Sequence, residues 1–144
     1  MKLEIELIPQ STFGKNVRSS VTKNQWDIIR SQVYSKAYNI CEICGDFENR
    51  TEAHEIWDFN EDLSIQKLIG MIALCPLCHS TKHFGLSELK GIRDKVLAHL
   101  MKINKISKKK AEKYIESQFL IWSIRSKKEW KLDLSILKDY GIDI

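Results

Sequence analysis

The sequence predicts an α+β fold built on a two-knuckle, four-cysteine zinc site, and three observations carry that expectation. All four cysteines fall in two Cys-x-x-Cys pairs, Cys41/Cys44 and Cys75/Cys78. Strand-like stretches lie around them: Leu3, Ile5 and Leu7 alternate with Glu4 and Glu6, and residues 51–58 (TEAHEIWD) read as extended. From Ser87 onward the apolar residues recur at helical spacing.

A chain of 144 residues has room for one domain with a real core, so residues 1–144 are read as a single unit. No run of about 18 apolar residues appears, so no membrane span is expected. The alternating N-terminus is not the apolar core of a secretion signal. Paired thiols without such a signal fit a reducing cytoplasm and metal ligation better than disulfides.

Charge is unevenly placed. Residues 1–85 hold 9 basic and 11 acidic side chains, whereas residues 86–144 hold 14 basic and 8 acidic. A basic half joined to a metal-rich half suits a polyanionic partner, because lysines and arginines displace counterions from phosphates.

In chain order, the alternation at 1–8 predicts an N-terminal strand, and Pro9 to Ser20 a loop carrying Lys15 and Arg18. Thr22 and Gln25 form a T-x-x-Q capping box before an apolar face at Trp26, Ile29, Val33 and Ala37, which predicts a helix over 22–38. Gly45 follows the first knuckle, where the turn needs a positive φ. Ser64 is placed to cap a short helix through Leu68, with Gly70 ending it and 71–74 entering the second knuckle as a strand. Pro76 is placed to start a helix bearing His79 and His83. Leu89, Ile92, Val96, Leu100 and Ile103 predict a helix over about 88–103. Ser107 caps the next, with Ala111, Ile115, Phe119 and Trp122 on one side. The tail from Glu129 has too short a pattern to assign.

Two Cys-x-x-Cys pairs with no spare cysteine point to one zinc held by all four, and four thiolates close its shell, so this zinc is structural. A redox dithiol needs one pair and a βαβ context, which is absent. His79 and His83, four apart on a helix, share one face and can hold a second ion, with His54 on the preceding strand as the third ligand. His99 lies in the later helix and is read as structural or exposed.

CxxCG, then EAHEI, then LCPLCHSTKH resembles the HNH endonucleases, a family of ββα-metal nucleases, over about residues 40–85. The resemblance implies a hairpin and helix gripping one divalent ion (Mg2+, Mn2+, Ni2+ or Zn2+) against a scissile phosphate in DNA, with RNA as an alternative. In the family a strand histidine activates water and the ion stabilises the leaving 3′ oxygen. On this pattern His54, His79 and His83 hold the ion and Glu55 takes the base position, where the family has histidine. A carboxylate of ordinary pKa, about 4.3, is a weaker base than imidazole. The other register makes His54 the base and leaves the ion to His79, His83 and Glu52 or Asp58. A reading without cleavage also stands: an HNH-fold protein binding nucleic acid or a protein partner, or a shell closed by Glu55 as fourth ligand.

The family's middle asparagine has no clear match; Gly70 stands near its place and Asn60 comes earlier. Trp57 adjoins the site as packing. Lys82 in the CHxxK element and Lys108, Lys109 and Lys110 are the expected phosphate contacts, within a cluster that includes Lys102, Lys105 and Lys113; Arg125, Lys127, Lys128 and Lys131 form a second basic group. The expected plan is thus a core over 40–85 with a basic helical extension over 86–144 packed on it. With no separate recognition domain in view, a homodimer or protein partner is the expected means of targeting.

Overall fold

A long antiparallel hairpin divides the molecule. In the computed structural model, which describes residues 1–143, β1 (Glu52–Asn60) pairs with β2 (Ile65–Leu74), bringing His54 opposite Ile72 and Asn60 opposite Ile65. The register shifts between Ile56, opposite Gly70, and Trp57, opposite Leu68, so Ile69 is an extra residue that bulges the second strand. A third strand, β3 (Lys131–Asp133), adds in parallel to β2, giving the order β1-β2-β3. The fold is α+β with a three-stranded sheet.

Helices cover both faces. α1 (Val17–Ser20) and α2 (Lys23–Lys36) precede the sheet, whereas α3 (Pro76–Lys82), α4 (Phe84–Leu89), α5 (Arg93–Asn104) and α6 (Lys108–Arg125) follow the hairpin. One core contains Val17, Ile29 and Val33 with Leu68, Met71 and Ala73 of β2. The other contains Leu3, Ile5, Leu74 and the cysteines with Phe84, Val96, Leu100, Ala111 and Ile115. No helix among the described residues is long and apolar enough to cross a membrane.

Local signals place several elements as expected. The Thr22 hydroxyl accepts from Gln25 N at 3.1 Å and the Gln25 side chain accepts from Thr22 N at 2.9 Å, a complete capping box for α2. Pro76 opens α3 with Cys75 as its N-cap, and Ser107 caps α6 by accepting from Lys110 N. Lys105, in the left-handed region at φ 54°, closes α5.

Four expectations are corrected. The N-terminal segment is not a strand of the sheet. It is tied instead to the helices: Leu3 N donates to Asn104 Oδ1, Ile5 N to the Tyr114 hydroxyl, and Glu6 N to the Lys82 carbonyl. The helix expected from Ser64 to Leu68 is the turn and first half of β2. Because β2 buries both faces, Leu68, Met71 and Ala73 on one side and Ile72 and Leu74 against the other core, its sequence lacks clean alternation. The helix expected over 88–103 is two helices broken at Gly91 (φ 77°), and Leu89, counted into the apolar stripe, is 85% exposed. Finally, the extension over 86–144 is not wholly helical: β3 joins the sheet and a 3-10 turn over Ser135–Tyr140 packs Leu137 into the first core.

Candidate metal centre

The two knuckles converge. Cys41, Cys44, Cys75 and Cys78 place their sulfurs within 4.8 Å of one another, a donor set that can hold a metal ion such as zinc. Each knuckle directs a backbone amide at its first sulfur: Cys44 N lies 3.5 Å from Cys41 Sγ and Cys78 N lies 3.4 Å from Cys75 Sγ. Burial acts to raise the Cys41 thiol, but backbone N–H groups of Cys44, Cys75 and Ile43 outweigh it and bring it down to about 7. Burial, assisted by the neighbouring thiols, pushes Cys75 up to about 11 and Cys78 upward as well. Such thiols ionise together only around a cation, which is what a metal supplies.

His99 belongs to this cluster. Its Nε2 lies 3.1 Å from Cys78 Sγ, so α5 packs a ring nitrogen against the sulfur. Sequence spacing gave no sign of it beyond placing His99 within an amphipathic helix.

The second cluster forms where the hairpin meets α3. His54 on β1, His79 within α3 and His83 one turn later also bring ligand atoms within 4.8 Å of one another. Ring centroids lie 4.8–5.3 Å apart, each pair edge-on. Burial, joined by the charges of the other two histidines, holds His83 down at about 3, and burial lowers His79 against the opposing pull of Glu52. Neutral rings keep the lone pairs that a metal needs.

Two carboxylates orient these rings. Glu52 Oε1 accepts from His79 Nδ1 at 3.0 Å, which fixes the ring and leaves Nε2 free. Glu6 Oε2 accepts from His54 Nε2 at 2.6 Å. With Nε2 as donor, His54 Nδ1 is the bare acceptor, and it is buried without a hydrogen-bond partner. A metal bond would satisfy such an orphan, and the donor set fits a divalent ion. Glu6 is the residue that sequence reasoning missed: the alternation marks it only as a polar position between Ile5 and Leu7.

Glu55 follows His54 on β1 and faces the other side of the sheet, with Ala53 and Trp57 and against Val17, whose backbone N donates to Oε2 at 3.4 Å. Burial, with a smaller push from the Glu6 charge, raises its carboxyl to about 7 against the bond from Val17. Glu55 therefore does not close the histidine shell; the carboxylate beside His54 is Glu6. Trp57 packs in the core, Asp58 is exposed, and Asn60 Oδ1 accepts from Asp62 N and Leu63 N in the hairpin turn, at the far end of β1 from His54.

Two clefts reach the histidines. One, of about 600 Å³, touches His83 and is walled by Leu7, Ile8, Phe119 and Trp122, with Glu6 and Glu88 as its charges. The other, of about 930 Å³, touches His79 and carries Arg18, Lys23, Arg30 and Arg50. Neither is lined by Lys108, Lys109 or Lys110, which are exposed at the start of α6, nor by Lys82, which is half-buried.

Fold and site together define an α+β protein with a four-cysteine cluster fit for zinc and a three-histidine cluster beside it. Set against protein-family models, curated proteins and solved structures, the chain matches none.

Proposed function

We propose that the chain is a metal-dependent endonuclease of the HNH type that hydrolyses phosphodiester bonds in DNA. The observation that carries this reading is the convergence of His54, His79 and His83 at a hairpin–helix junction braced by four cysteines, with Glu55 next in the strand. Zinc at the cysteines would hold the end of β2 and the start of α3 in register. A divalent ion at the histidines would supply charge stabilisation to the phosphate and to the leaving oxygen.

The chain's own residues have separate tasks in this scheme. Glu52 and Glu6 hold the rings of His79 and His54. Water at the ion would attack phosphorus and give its proton to solvent, the bond to the 3′ oxygen would break, and solvent would reprotonate that oxygen. Glu55, in the expected base position, faces the Val17 side of the sheet and lies away from the ion.

One observation favours a second reading, an HNH-fold protein that binds without cutting. Glu55, which stands in the family's base position, faces the Val17 side of the sheet and lines neither cleft at the histidines, so the ion has no carboxylate base beside it. Supercoiled plasmid or single-stranded circular DNA incubated with zinc-loaded protein plus Mg2+, Mn2+, Ni2+ or further Zn2+, or EDTA, separates the two. Metal-dependent nicking that is lost in His79→Ala and in His83→Ala is the expected result. Plasmid and single-stranded circular DNA that both stay intact with every ion would overturn the nuclease.

A further inference from the structure

We infer that the cleft between α2 and the start of β1 is a binding groove for an unpaired nucleic-acid strand, which seats phosphates on Arg18, Lys23, Arg30 and Arg50 and stacks a base on Trp26 or Tyr34. The inference deepens the nuclease reading by naming the form of its substrate, and rests on that reading for what happens at the cleft's histidine end.

The groove runs from exposed cations on α1 and α2 to His79 and Glu52. Lys23, Trp26, Arg30 and Tyr34 recur at three- and four-residue intervals, so one stripe of α2 alternates charge with aromatic rings. Trp26 and Tyr34 pack one side on the core formed by Ile29 and Val33, and both also line the cleft. Stacked rings in a cationic groove are the combination that binds single strands, because every base has a π face. Paired bases in a duplex do not offer that face.

Two acids, Asp27 and Glu52, also line the groove. Arg30 Nε donates to Asp27 at 2.9 Å and Arg50 to Glu52 at 2.9 Å, each through one nitrogen, so both guanidinium groups keep N–H donors for a phosphate oxygen. Lys23 reaches Asp27 at 3.4 Å, and Arg18 has no ion-pair partner among the described residues. Four cations against two acids leave the groove positive. The other cleft at the histidines is acidic and apolar, so a polyanion has one favourable approach.

The test is fluorescence anisotropy with a labelled 12-nucleotide oligothymidylate and a duplex of the same length, using zinc-loaded protein with no second divalent ion added. The single strand should bind more tightly than the duplex. Arg18→Ala with Arg30→Ala should weaken it at least 10-fold, and Trp26→Leu about 5-fold or more. Lys108→Ala, Lys109→Ala and Lys110→Ala combined should change it less than 2-fold. Arg18→Lys with Arg30→Lys, and Trp26→Tyr, should recover most of the affinity, which separates lost contact from lost fold. Cleft variants that bind within 2-fold of wild type, or a duplex preference untouched by Trp26→Leu, would overturn the groove. Wild type that binds through the cleft yet cuts neither plasmid nor single-stranded circular DNA with any divalent ion keeps the groove and ends the nuclease. Nicking unchanged in the cleft variants does the reverse.

Discussion

His54 Nε2 lies 2.6 Å from the Glu6 carboxylate, so one of the three clustered histidines is oriented by a residue 48 positions earlier in the chain. His54 is 2% exposed and the Glu6 side chain 16%, so the pair is shielded from solvent and holds one tautomer of the ring. Glu6→Gln keeps the size of the side chain but presents a weaker acceptor, or an amide facing the ring. Its affinity for Ni2+ or Zn2+ at the histidines should fall about 10- to 100-fold. Calorimetric titration of protein already loaded with zinc at the cysteines reads this directly. Unchanged affinity would mean that Glu6 neither orients His54 nor ligates.

Glu6 is itself held by the clamp on the segment that carries it. Asn104 accepts from Leu3 N at 2.9 Å and donates to the carbonyls of Leu3 at 2.7 Å and Leu100 at 3.0 Å. Asn104→Ala strands two backbone groups of Leu3, and each unsatisfied group costs about 1–3 kcal/mol. Urea denaturation should show a loss of about 2–4 kcal/mol. The same variant should bind metal at the histidines more weakly than wild type, because the segment positioning Glu6 is loosened. A stability loss with histidine affinity intact would separate the clamp from the site.

What was legible in the sequence was local. The knuckles, the Thr22/Gln25 box, Pro76 and the His79/His83 spacing all act within a few residues, so spacing alone locates them. Glu6 was not, since the same alternation that buries Leu3 and Ile5 marks it only as a polar position and its partner lies far along the chain. His99 likewise meets Cys78 across 21 residues, and helical periodicity says nothing about which sulfur a helix will face. β2 was misread as a helix start because a strand buried on both faces loses its period of two. The Arg18–Arg50 groove was illegible for a related reason: its cations come from α1, α2 and the loop before β1, and only the fold gathers them.

Removal of metal from the cysteines tests how far that cluster supports the fold. Its four residues join the loop after α2 to the end of β2 and the start of α3, and Cys41, Cys75 and Cys78 are buried in the same core as Leu3 and Leu100. Structural zinc contributes several kcal/mol to folding in small domains, so chelation should lower the melting temperature by roughly 10 °C or more. Cys75→Ser should act like chelation, and His79→Ala should not. Scanning calorimetry with and without 1,10-phenanthroline measures it, and an unchanged melting curve would sink the structural role of the cluster.

His99 gives a finer test of the same site. A ring nitrogen 3.1 Å from Cys78 Sγ can donate to a thiolate, which draws charge from the sulfur and holds α5 against the knuckle. Burial, with a smaller push from Lys102, lowers the His99 pKa and so favours the neutral ring, whose tautomer protonated at Nε2 is the one that can donate to the sulfur. His99→Ala should therefore weaken zinc binding about 10-fold, read by competition with a chromophoric chelator. His99→Gln places an amide donor within reach of the sulfur and should restore part of the loss. If His99→Ala bound zinc as wild type does while losing thermal stability, the ring would be serving only to pack α5. Equal zinc affinity and equal stability would remove both roles, and the 3.1 Å approach would then be a contact without energetic weight.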